Sequence, residues 1–92
     1  MDFEWDEAKA TQNLRKHGVA FADATAVFDD PRHATADAKL VGGEAREKTT
    51  GFADAYALLT VVHVTRMVAG EVVTRIISAR PASRRERRTY ER

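Results

Sequence analysis

Residues 56–79 read Tyr-Ala-Leu-Leu-Thr-Val-Val-His-Val-Thr-Arg-Met-Val-Ala-Gly-Glu-Val-Val-Thr-Arg-Ile-Ile-Ser-Ala, two β-branched runs on either side of a short turn. Val, Ile and Thr suit a pleated, half-buried surface, so Tyr56 to Val64 and Val72 to Ala79 read as strands. The stretch Met67 to Glu71, with Gly70, is the hairpin turn that makes them antiparallel. Leu58-Leu59-Thr60-Val61-Val62 is nearly continuous in hydrophobicity, which predicts a central strand covered on both faces. Upstream, His33 to Lys39 and Arg46 to Phe52 supply two further strands.

Before the strands the period changes from two to 3.6. Asp6 can cap a first helix over residues 7 to 17, with Ala10, Leu14 and His17 on one face and Gly18 as the left-handed stop. Phe21, Ala24, Thr25 and Phe28 mark a second short helix, ended by Asp29-Asp30-Pro31. Beyond the last strand, Pro81 cannot donate to a ladder, and Ser83-x-x-Glu86 is a capping box that opens a final helix. The expected fold is α+β, one domain over residues 1–92, with two N-terminal helices, a four-stranded antiparallel sheet and a C-terminal helix.

The chain has 92 residues, 43% of them hydrophobic and 32% charged, which is the balance of a chain with a packed core. It has no cysteine, so disulfides, thiolate nucleophiles and cysteine-ligated zinc are excluded. An acidic start and the absence of any apolar run near the roughly 20 residues of a bilayer span lead us to expect a cytoplasmic protein that does not touch a membrane.

A net charge of +1 conceals segregation. From Arg80 to Arg92 there are six arginines and two glutamates, a net +4, against −3 for residues 1–79. On a helical wheel Arg84, Arg85, Arg87, Arg88 and Arg92 span an arc of roughly 160°, with Ala82, Glu86 and Tyr90 opposite. Guanidinium forks match phosphate oxygens, so the tail is a candidate polyanion surface; a solvated helix end with cations on its dipole has the same composition.

Three smaller features carry chemistry. Lys16-His17 closes the first helix, and histidine titrates near neutrality; it also suits a half-buried structural role. Arg75 lies among Val73, Ile76 and Ile77, where an isolated guanidinium is costly, so it needs a carboxylate, such as an acid from helix one, or a cleft. Arg66 sits at the far end of the neighbouring strand. His63, between apolar residues, reads as a hydrogen-bonded core imidazole, and His33 falls in a loop. The histidines lack metal-ligand spacing and there is no glycine-rich phosphate loop, so no metal and no cofactor are expected.

Phe3-Glu4-Trp5-Asp6, Asn13-x-x-Lys16-His17-Gly18-Val19-x-Phe21 and Val27-Phe28-x-Asp30-Pro31 follow one another in a specific order. Glu44-x-Arg46, Leu58 to His63 with Arg66, Arg75-Ile76-Ile77-Ser78-Ala79-Arg80 and Glu86-Arg87-x-x-Tyr90-Glu91 continue it. The series resembles the BrnT family of ribonuclease toxins from type II toxin–antitoxin pairs. The resemblance implies a RelE-like fold, RNA as substrate and a BrnA-like ribbon-helix-helix antitoxin, with operator DNA reached only through the antitoxin complex. The chain departs from the family pattern at two places: Val64-Thr65 stand where Thr-Glu is usual, and Glu7 replaces a proline at a helix start.

With that resemblance, His17, Lys16, Arg66 and Arg75 are the catalytic candidates for metal-independent cleavage by the RNA 2′-hydroxyl. Arg80, Arg84, Arg85 and Arg88 are the candidates for holding phosphates. Two other readings stay open: a non-catalytic nucleic-acid or operator-binding protein, and a tail that docks an acidic antitoxin.

Overall fold

The computed structural model describes residues 1–54 and 56–92. In chain order it holds β1 (Asp2–Glu4), α1 (Glu7–His17), α2 (Phe21–Ala24), β2 (Ala34–Val41), β3 (Glu44–Ala53), β4 (Ala57–Val68), β5 (Glu71–Pro81) and α3 (Arg84–Tyr90). A 3-10 turn, Thr25–Asp29, continues α2 towards the sheet. Asp6 caps α1 by accepting from the Ala8 and Lys9 amides at 2.8 and 3.2 Å.

The strands form one sheet in the order β1-β5-β4-β3-β2, five strands rather than the expected four. It is mixed rather than wholly antiparallel, because β1 pairs parallel to β5, Phe3 lying opposite Thr74. The reason lies in side chains that alternate across three residues. Phe3 turns to the covered face and meets Phe28 at 5.3 Å between ring centroids, while Glu4 turns to the other face and meets two arginines. Trp5 then leads into α1, edge-on to Phe21 at 6.0 Å.

β1 covers only part of the β5 edge. Further along, Asn13 of α1 completes it: its Oδ1 accepts from the Ala79 amide at 3.1 Å, and its Nδ2 donates to the Ala79 carbonyl at 2.8 Å and the Val19 carbonyl at 2.9 Å. A buried amide thus replaces a strand partner and fixes where α1 lies.

The core sits on one face of the sheet, where Val19, Phe21, Ala24 and Val27 of the helical layer close on Leu59, Val61, Ile76 and Ala79. Each large side chain buried this way contributes roughly 1.5–3 kcal/mol. Gly51 allows the 3-10 turn to approach β3, since a Cβ there would stand 2.8 Å from the Val27 carbonyl oxygen.

The β4–β5 hairpin closes at Ala69-Gly70, between the paired Val68 and Glu71, so the strands run further than Val64 and Val72. Lower in the same ladder Val62 pairs with Ser78 and His63 with Ile76, leaving Ile77 as a bulge. Strict alternation along β5 therefore breaks at Ile77: Ile76 and Ala79, three apart, both enter the core.

Candidate functional site

The opposite face of the sheet carries the charge. Alternation from the core residues Leu59 and Val61 puts Thr60, Val62 and Val64 of β4 on it. The register then lays out three rows across the sheet: Thr50, Thr60 and Arg80; Lys48, Val62 and Ser78; and Val64, Arg75 and Glu4. Arg46, two residues before Lys48, shares this face. Rows two residues apart are separated by about 7 Å along a strand.

α3 covers the first row through Glu86, which is only 6% exposed. Its carboxylate accepts a fork from Arg80, Nη1 to Oε1 at 2.7 Å and Nη2 to Oε2 at 2.9 Å. It also accepts from Lys48 Nζ at 3.1 Å, from Thr60 Oγ1 at 2.9 Å and from the Ser83 amide at 2.9 Å. The Ser83 contact completes the expected capping box. So many donors, Arg80 foremost, hold the Glu86 carboxyl far below the usual carboxylate range, and Glu86 in turn raises the Arg80 pKa.

The far end of α3 is tied by Tyr90, whose hydroxyl donates to Asp30 at 2.6 Å. Asp30 also accepts from the Phe52 amide at 2.7 Å and the Arg32 amide at 2.9 Å. The Tyr90 bond, with these amides, lowers the Asp30 pKa. Tyr90 thus faces the body of the protein, as its place on the wheel predicts.

Beside α3 the second row opens into a shallow cleft of about 410 Å³. Lys39, Arg46, Lys48 and Arg80 line it with a single carboxylate, Asp37, and with Val62, Ile77 and Ser78. On the other side of Ile77 and Ser78 lies a second hollow, of about 260 Å³, lined by Asn13, Lys16 and His17. The bulged segment of β5 is therefore a wall common to both, and it brings the end of α1 to the margin of the basic cleft.

The candidate residues fall into three groups. Lys16 and His17 sit beside Ile77 and Ser78. Arg66 and Arg75 meet on Glu4, each donating Nη1 to the same Oε2, at 3.0 and 2.8 Å. The partner of Arg75 is thus an acid of β1, not of helix one. Arg80 is engaged by Glu86, while Arg84, Arg85 and Arg88 are exposed on α3. Among the described residues no hydrogen bond or ion pair joins the Glu4 group to Lys16 or His17.

Sequence reasoning passed over Arg46, Lys48 and the linking role of Glu86. A signal existed: Arg46, Lys48 and Thr50 alternate along one strand face. His63 lies on the covered face, its Nε2 2.8 Å from Thr49 Oγ1, which is itself 2.8 Å from Thr35 Oγ1. Phe28 packs edge-on at 5.0 Å, and burial lowers the His63 pKa. His33 approaches the Asp30 carbonyl oxygen with Nδ1 at 2.8 Å.

Comparison with known proteins defines the class first: residues 5–86 match a family described as a ribonuclease toxin of a type II toxin–antitoxin system. That family is BrnT, and the chain belongs to it. The fold is similar to the crystal structure of the Brucella abortus ribonuclease toxin BrnT, with 26% identity and a TM-score of 0.61 over 91% of this chain and 99% of that one. No curated protein matches the sequence. Membership makes this chain a ribonuclease toxin, with RNA as target and an antitoxin as partner. Among the described residues no helix is long and apolar enough to cross a membrane.

Proposed function

We propose that this toxin cuts RNA as a metal-independent, RelE-like endoribonuclease of the mRNA interferase kind, in the basic cleft on the open face of the sheet. One observation carries the reading: four cations line that cleft, two of them also held by Glu86, with Asp37 as the one carboxylate of the lining, and its β5 wall adjoins Lys16 and His17. In this scheme the 2′-oxygen attacks the adjoining phosphorus, the P–O5′ bond breaks, and a 2′,3′-cyclic phosphate and a 5′-hydroxyl result. His17 takes the 2′ proton or returns one to the 5′ oxygen, with Lys16 beside it. The surrounding cations stabilise charge gathering on the phosphorane.

Arg66 and Arg75 each use one donor on Glu4 and keep others for a neighbouring phosphate. Arg84, Arg85 and Arg88 hold the strand further out, and Arg80 acts with Lys48 through Glu86. A 2′-hydroxyl nucleophile makes the reaction specific for RNA over DNA. In the cell the toxin acts in the cytoplasm and arrests growth until a BrnA-like ribbon-helix-helix antitoxin covers the open face. Operator DNA is bound only by the complex of the two.

The direct test is cleavage of RNA in EDTA. Cutting that leaves cyclic or 3′-phosphate ends is the expected result, and dependence on added metal would overturn the scheme. Full activity in His17→Ala would remove His17 from it. RNA binding that weakens steeply with salt while the strand stays intact would reduce the face to a binding surface.

A further inference from the structure

We infer that Arg46 is the phosphate-anchoring residue of the cleft, a role that rests on the cleavage site proposed above and names the group that grips its substrate. Arg46, Arg75 and Arg80 are the half-buried arginines among the described residues. Arg75 has the Glu4 carboxylate and Arg80 has Glu86. Arg46 forms neither an ion pair nor a side-chain hydrogen bond with any described residue. Its Nε is buried and has no hydrogen-bond partner.

A guanidinium nitrogen withdrawn from water without an acceptor is destabilising, and no described residue supplies one to Arg46 Nε. The charge of the guanidinium is compensated when an anion enters the cleft. The two terminal Nη groups form a planar fork that matches two oxygens of one phosphate, a geometry an ammonium lacks. Lys48, two residues on and about 7 Å along the strand, donates only one of its three ammonium hydrogens to Glu86. Arg46 and Lys48 thus form one cationic bank of the cleft, facing Ser78 across Val62. The ligand of that bank is a phosphodiester of single-stranded RNA, because an open, shallow cleft admits a flexible strand more readily than a rigid duplex.

The lack of a protein partner makes the role separable from a structural one. In Arg46→Met the stem keeps its packing and the unpaired charge is gone, so the melting temperature stays level or rises. The single-turnover cleavage rate falls about hundredfold or more, the size of losing one preorganised donor at a phosphorane. Affinity for the same RNA made uncleavable by 2′-O-methylation falls about tenfold, and its salt slope shrinks by about one ion. Arg46→Lys restores part of the rate by returning the charge without the fork.

Cleavage within threefold of the parent in Arg46→Met would overturn the inference. A lowered melting temperature, with the rate recovering in proportion on cooling, would overturn it too by making Arg46 a strut. If Arg46→Met does not fold, Arg46→Gln is read by the same criteria. If the parent cuts no RNA, the proposed reaction fails, and Arg46 is then judged by the methylated RNA alone: lost affinity keeps it as the anchor, unchanged affinity removes it.

Discussion

The two faces of the sheet bury comparable lengths of β4 by different means. On the covered face Leu59 and Val61 meet Phe21, Val27 and Ile76, hydrocarbon against hydrocarbon. On the open face Thr60 is equally inaccessible, but what covers it is a carboxylate held by Arg80 and Lys48. The first face holds the fold together without direction. The second orients charges, at some cost in stability, and a site that must grip a polyanion needs orientation more than it needs burial.

The contrast is easiest to break from the covered side. Phe21→Ala removes the largest side chain of the core, and urea unfolding should show a loss of about 4 kcal/mol. On the open side Glu86→Gln keeps the shape but not the charge, leaving Arg80 and Lys48 without their counter-ion. Both cations are 33% exposed, so water absorbs part of the penalty, and about 2 kcal/mol is expected. If the second loss equals or exceeds the first, the open face also supports the fold and the contrast fails.

Acid should separate the faces by where stability is lost. His63 is buried neutral with a lowered pKa, so the unfolded chain, titrating at 6.5, binds the proton more readily, and stability falls as the pH drops through that value. Glu86 has a depressed pKa, so its contribution is complete above its unfolded value of 4.5 and declines only below it. Melting temperatures in His63→Gln should therefore flatten between pH 7.5 and 5.5, and those in Glu86→Gln should flatten below 4.5. Identical profiles in parent and variants would deny both groups their assigned protonation states.

The local signals in the sequence mark most element boundaries. Asp6 and Gly18 bound α1, Ser83 and Glu86 open α3, and the β-branched runs on either side of Gly70 became the hairpin. What escaped was non-local. β1 is three residues long and acquires meaning only when Phe3 finds Phe28 and Glu4 finds Arg66 and Arg75, more than sixty residues away. The bulge at Ile77 depends on the partner strand, so alternation assigned Arg75 and Ala79 to one side where the structure separates them. The candidate site was legible as a set of cations, but not which of them already had carboxylates. That distinction moves the emphasis from Arg66 and Arg75 to Arg46.

The smallest predicted effect probes that distinction at the Glu4 end of the open face. Arg66 is 46% exposed and Glu4 30%, so Glu4→Gln should cost only about 0.5 kcal/mol, most of it gone in high salt. For RNA the change has the opposite sign. Neutralising Glu4 releases two guanidinium groups and removes a negative charge from the face, so affinity should rise about twofold while the cleavage rate stays level. A fall in rate would instead mean that Glu4 orients Arg66 and Arg75 for chemistry, and the functional centre would then extend along the whole face rather than lie between Arg46 and Ser78.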